Sequence, residues 1–98
     1  MNKVVKHKKF LSRCAANPSI VKRSTLEQIS CLVEICHNLA SIPLSSKEKR
    51  LLCKQLDNIR TIGRCSREKK ARHELVQAGG SILPILIPAV LELFRHLV

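Results

Sequence analysis

A chain of 98 residues and 11.0 kDa holds one small domain and leaves little room for a multi-substrate active site. With 45% hydrophobic and 26% charged residues it is too apolar for a disordered polyelectrolyte, so most of it is expected to pack. Its formal charge of +11, from 18 Lys and Arg against 7 Asp and Glu, points to a polyanionic partner, either nucleic acid or an anionic membrane face.

Two Phe and no Tyr or Trp leave single-strand base stacking and interfacial membrane anchoring without their usual side chains. The five cysteines, Cys14, Cys31, Cys36, Cys53 and Cys65, are odd in number and contain no C-x-x-C pair. Most fall in apolar helical patterns, so reduced thiols of a cytosolic or nuclear compartment are expected. The first ten residues have no long apolar run after their charges, so no secretory signal is expected there.

Charge is uneven along the chain. Residues 1–25 carry seven Lys or Arg and no acid, and residues 26–44 carry only Glu27 and Glu34. Residues 45–74 carry ten Lys or Arg against four acids, and beyond them come only Glu92 and Arg95. The expected organisation is a basic arm over residues 1–16, a helical core domain over 17–80 and an apolar C-terminal helical segment over 81–98.

Asn17 before Pro18 offers an N-cap with proline at the first helical position, and Ser24 with Glu27 offers a capping box in the same window. Leu26, Ile29, Leu32, Val33, Cys36, Leu39 and Ala40 recur at three- and four-residue steps, the apolar face of one helix. It should stop before Ile42-Pro43, because the residue preceding proline is pushed out of the α region. Ser45 and Glu48 form a second capping box ahead of Leu51, Leu52, Leu56, Ile59 and Ile62, a single helix ended by a left-handed Gly63. Ser66 can cap a third segment, which Gly79-Gly80 should break, and Pro88 should kink or restart the helix in the apolar tail. No segment alternates with period two. The expected fold is all-α, a small bundle of four to five short helices with a basic N-terminal arm.

Catalysis has little to stand on. His7, His37, His73 and His96 are scattered, and glycines only at 63, 79 and 80 make no phosphate-cradling loop. Cys36 and His37 are helix neighbours that point about 100° apart, so they cannot pair as nucleophile and base. Cys31, Cys36 and His37 lack a fourth zinc ligand and any knuckle spacing. No enzymatic activity, cofactor or metal is expected.

The basic residues carry more. Lys47, Lys49, Arg50, Lys54 and Arg60 share a helix with leucines whose packing turns the charges outward, and Arg64, Arg67, Lys69, Lys70 and Arg72 extend the set. Such an excess of one sign costs stability by self-repulsion, which favours an anionic partner over simple solubility. These ten residues are the expected phosphate contacts to double-stranded DNA. They would give affinity without base readout, since no helix offers a convincing Asn/Gln/Arg reading set. The stretch from Lys3 to Arg13 would add to them, or be a solvated tail or an import signal.

From Leu75 to Leu91 there is no charged residue. A spanning helix needs about 20 apolar residues without breakers, and Pro84, Pro88 and Glu92 count against one. Core burial, membrane dipping and self-association all remain open for this stretch. Ile82, Leu83, Ile85, Leu86 and Ile87 are the candidate membrane or partner contacts.

Several of these residues also carry a resemblance. Glu34-x-x-x-Asn38, Ile42-Pro43-Leu44-Ser45, Lys49 and Arg50, Leu52, Leu56, Ile59-Arg60, Lys69-Lys70, Gln77 and Gly79-Gly80 ahead of a Leu/Ile/Pro stretch resemble a short basic protein of Maverick/Polinton elements and adintoviruses. The double glycine followed by Ile82-Leu83-Pro84-Ile85-Leu86-Ile87-Pro88 is similar to the C-terminal end of the adenovirus core protein mu precursor. The resemblance spans roughly residues 27 to 94. It implies a viral protein of the virion core and host nucleus that condenses double-stranded DNA, with capsid protein, an anionic membrane or another copy as further partners of its apolar tail. Two departures weaken the implied condensation: Glu74 and Val76-Gln77-Ala78 interrupt the basic run before the double glycine, and the Arg-rich block of the adenovirus protein is missing.

Overall fold

A computed structural model describes residues 5–97, with side chains as far as Leu93. Its described residues are helices, turns and short connections with no strand, which is the all-α class the sequence predicts.

Helix α1 (Lys8–Ala16) buries Phe10, Leu11 and Cys14. That i, i+1, i+4 spacing makes a packing seam, so from Lys8 onward the arm is a docked helix and not a separate tail, contrary to the expected division at residue 16. Lys3 lies outside the described residues. Asn17 Oδ1 accepts from the Ser19 amide at 3.3 Å, but the expected cap opens only a 3-10 segment, Pro18–Arg23. It ends at Ser24, whose backbone is extended and whose hydroxyl donates back to the Ile20 carbonyl at 3.0 Å. The capping box falls one residue later than the sequence suggests: Thr25 Oγ1 accepts from the Gln28 amide at 3.1 Å, and Gln28 Oε1 accepts from the Thr25 amide at 2.9 Å.

This box starts α2 (Leu26–His37), which buries Ile29, Cys31, Leu32, Ile35 and Cys36 and leaves Leu26 exposed. Asn38 closes it by donating both its amide and its side-chain Nδ2 to the Glu34 carbonyl, and a 3-10 turn (Leu39–Ser41) leads to Ile42. The second capping box forms as expected, with Ser45 Oγ accepting from the Glu48 amide at 3.1 Å and Glu48 Oε1 accepting from the Ser45 amide at 2.8 Å.

The single helix expected beyond that box is two helices, α3 (Ser46–Cys53) and α4 (Leu56–Gly63). They meet at a tightened turn in which the Gln55 amide bonds the Leu52 carbonyl at 2.9 Å. Gly63 does not supply a left-handed stop, since no glycine among the described residues has positive φ. Its lack of a side chain serves a close approach: a Cβ there would sit 2.9 Å from the His37 amide nitrogen. His37 Nδ1 meets the Gly63 carbonyl at 3.2 Å in the same crossing of α2 and α4.

The largest departure is α5 (Glu68–Leu97), 30 residues that continue through Gly79-Gly80, Pro84 and Pro88. The bundle is therefore not made of short helices throughout, and the chain does not divide at residue 80. Packing outweighs the breakers. Two glycines and two prolines cost at most about 8 kcal/mol, whereas α5 buries Leu75, Ile82, Leu83, Leu86, Ile87 and Val90 at about 1.5–3 kcal/mol each. Gly80, Pro84 and Pro88 are also all exposed, four residues apart on one line. The carbonyls of Gly80 and Pro84, which lose their amide donors to the proline nitrogens, therefore face water.

α5 packs against α1, the Pro18–Arg23 segment, α2 and α4, so Leu11, Ile29, Leu32, Ile35, Ile59 and Ile62 close over it with essentially no exposure. Ile82, Leu83, Leu86 and Ile87 sit inside this core and Ile85 is half-buried, so the residues considered as membrane or partner contacts are interior ones in this structure. By length and composition alone the Glu68–Leu93 stretch of α5 is long and apolar enough to cross a membrane.

Candidate nucleic-acid interface

The ten predicted phosphate contacts lie on α3, α4 and α5 and on the connections that flank them. In α3, the leucine that packs is Leu52, while Leu51 stays half-exposed, and this rotation turns Lys47, Lys49, Arg50 and Lys54 to solvent. The one acid of this helix, Glu48, is folded back into the capping box, so it does not point outward with the lysines. Arg60 is exposed on α4, and Arg64, Arg67, Lys69 and Lys70 are exposed around the α4–α5 junction.

Only part of the set is brought together. Arg64, Arg67 and Lys70 line one open depression of about 420 Å³ with Thr61, Cys65 and Ser66, and no carboxylate lines it. Its shape is fixed locally, with the Arg64 amide bonding the Arg60 carbonyl at 3.1 Å and the Cys65 thiol donating to the Thr61 carbonyl at 3.2 Å. Lys49 lines a different groove, beside α3. Arg72 departs from its predicted role: it is half-buried and its Nη1 donates to the Lys22 carbonyl at 2.9 Å, tying α5 to the 3-10 segment.

A second basic surface lies on α1, where Lys6, Lys8, Lys9 and Arg13 border an open hollow of about 550 Å³ together with His7 and Phe10. Lys6 is already engaged there, its Nζ lying 2.8 Å from Glu27 Oε1. That hydrogen bond and the ammonium charge hold the Glu27 carboxyl below its ordinary range. The Phe10, Leu11 and Cys14 seam was the signal in the sequence that this basic stretch is ordered.

The thiols divide by burial. No disulfide joins any of the five cysteines. Burial raises the Cys14 thiol to about 11, against a small opposing effect of Arg13, and raises Cys36 to about 12, with the nearby Cys65 adding to it. Cys31 is buried as well, whereas Cys53 is exposed. Among the described residues no group of three or more His, Cys, Asp or Glu side chains could hold a metal ion.

Comparison with known proteins adds no assignment: no family model, curated protein or solved structure matches the chain.

Proposed function

We propose that this chain is a sequence-nonspecific double-stranded DNA-binding protein, a viral core or virion accessory protein that helps condense a genome in the host nucleus. The observation that carries the reading is the Arg64, Arg67 and Lys70 depression, three cations converging on one open surface with no carboxylate in its lining. Opposite charge at that spacing attracts phosphate oxygens, and the exposed Lys47, Arg50, Lys54 and Lys69 enlarge the field around it. The resemblance to Maverick/Polinton and adintovirus basic proteins points the same way.

The test is duplex binding as a function of salt. Each phosphate neutralised contributes roughly −0.9 to the slope of log affinity against log salt, so Arg64→Ala, Arg67→Ala and Lys70→Ala combined should flatten the slope by about 2–3 and weaken unrelated duplexes alike. Lys49→Ala, Arg50→Ala and Lys54→Ala combined should act in the same direction. A slope near zero, or wild-type affinity in both triple variants, would remove the proposal.

A second reading, a membrane-active or capsid-scaffolding module, is favoured by one observation: the length and apolar composition of α5. It requires α5 to leave the core, because its large apolar side chains are buried there. It would also place the donor-less carbonyls of Gly80 and Pro84 in hydrocarbon, where nothing solvates them. Anionic vesicles titrated beside the duplex separate the two readings: salt-resistant vesicle binding accompanied by loss of the cooperative fold supports the membrane route.

A further inference from the structure

Several hydroxyls stand among basic residues, and the fold takes most of them out of reach. Ser12, ahead of Arg13, lies in α1 and donates to the Lys8 carbonyl at 3.2 Å. Ser24 and Thr25 follow Lys22-Arg23, but Ser24 is buried with its hydroxyl on the Ile20 carbonyl, and Thr25 Oγ1 is held in the capping box by the Gln28 amide at 3.1 Å. Ser66 is different. It stands between Arg64 and Arg67, exposed in the short non-helical connection from α4 to α5, and its hydroxyl has no hydrogen-bond partner among the described residues. Thr61, the other hydroxyl of the same depression, is tied to the Asp57 carbonyl at 2.8 Å.

The surroundings of Ser66 suit a phosphate attached to it. Within residues 58–73 the only acid is Glu68. Ser66 itself lines the depression with Arg64, Arg67 and Lys70, so a phosphoserine would set about −1.5 to −2 of charge and three acceptor oxygens among those cations. We propose that Ser66 is the site at which a basic-directed serine/threonine protein kinase phosphorylates this chain, and that the phosphate then occupies the depression in place of a DNA phosphate. The second half rests on the duplex-binding reading, and the first half does not. In the transfer, Ser66 Oγ bonds to the γ-phosphorus of ATP as the bond from that phosphorus to the bridging oxygen breaks, ADP leaves, and the hydroxyl proton passes to a carboxylate of the kinase. The exposed, non-helical segment can lie in an acidic kinase groove, where Arg64, Arg67 and Lys69 meet carboxylates.

The full chain is incubated with the catalytic domain of a protein kinase C and Mg²⁺–ATP, and the product is mapped by mass spectrometry. Phosphate at Ser66, lost in Ser66→Ala, upholds the site; no incorporation, or phosphate on other hydroxyls with Ser66 unmodified, overturns it. Seating is read by phosphorus NMR on the chain with phosphoserine installed at 66 during translation. The cations should draw its second ionisation below the ordinary value of about 6, and Arg64→Ala with Arg67→Ala should return it. Both arginines are exposed, so the fold is kept, which circular dichroism checks. An ordinary value in the chain with both arginines overturns the seating. The phosphorylated chain should also lose about 2 from the slope of log duplex affinity against log salt. Undiminished slope and affinity overturn the competition. Absence of duplex binding by the unmodified chain overturns the DNA-binding reading instead, and the mapping and the titration still decide the modification site.

Discussion

The two ends of α5 are one continuous helix with opposite chemistry. Its first turns carry Glu68, Lys69 and Lys70, all exposed, and from Leu75 to Val90 it supplies the largest share of the core. At the basic end, packing holds the backbone through Ala71 and leaves the charges outside. At the apolar end, every large side chain from Ile82 to Val90 except the half-buried Ile85 is fully covered, while the exposed line is reserved for Gly80, Pro84 and Pro88. One helical period can thus place residues suited to a polyanion and residues suited to a core on a single element, with no hinge between them.

The severest challenge to this pairing is to remove the apolar end. A chain lacking residues 81–98 loses Ile82, Leu83, Leu86, Ile87 and Val90, all buried, and should lose its cooperative thermal transition by circular dichroism. Persistence of the wild-type melt would show that residues 81–98 are a detachable appendage.

Single substitutions resolve the contrast more finely. Leu86→Ala creates a cavity at a site with no exposure and should cost about 2–5 kcal/mol in a denaturant titration. Lys70→Ala at the exposed end should change stability by no more than about 0.5 kcal/mol. Comparable losses for the two would erase the distinction.

Glycines give effects of opposite sign. At Gly80 an added Cβ meets nothing within 4 Å, so Gly80→Ala should stabilise by about 1 kcal/mol through helix propensity alone. At Gly63 the Cβ would lie 2.9 Å from the His37 amide nitrogen, a backbone atom that cannot swing aside, so Gly63→Ala should lower the melting temperature. A hinge at Gly79-Gly80 predicts instead that Gly80→Ala impairs the protein.

The smallest effect is alkaline. Burial raises the Cys36 thiol from 9.0 to about 12, so the folded state favours the protonated form. Its contribution to stability is complete below pH 9 and is lost as pH rises toward 12. The stability difference between wild type and Cys36→Ala should therefore narrow above pH 9. Maleimide kinetics at neutral pH should separate the same groups, with Cys53 fast and Cys14, Cys31 and Cys36 slow until denaturant is added.

How far the sequence could be read differs along the chain for physical reasons. The Ser45/Glu48 box is local, so residue types within four positions suffice to predict it, whereas the helix expected to run to Ile42 ends at His37 and Leu39–Ser41 form a 3-10 turn. The Thr25 box lies one residue beyond the predicted one, and Ser24, the competing hydroxyl, donates instead to the Ile20 carbonyl. The α3–α4 turn carries neither Gly nor Pro and had no local signal. Within the candidate interface, exposure of the basic residues arose from leucine periodicity, but the convergence of Arg64, Arg67 and Lys70 and the diversion of Arg72 onto the Lys22 carbonyl depend on how α4, α5 and the 3-10 segment meet.

From the sequence alone come the all-α class, the excess of basic charge over residues 45–74 and the apolar character of residues 75–91, since composition and short-range periodicity determine these directly. Tertiary structure alone decided that α5 crosses two glycines and two prolines, that residues 8–16 dock as a helix, and that residues 39–44 leave a groove beside Lys49. Propensities at the breakers are worth about 1–3 kcal/mol each. Burial of the six large side chains of α5 exceeds their sum, and that burial exists only once helices distant in sequence have come together to cover it.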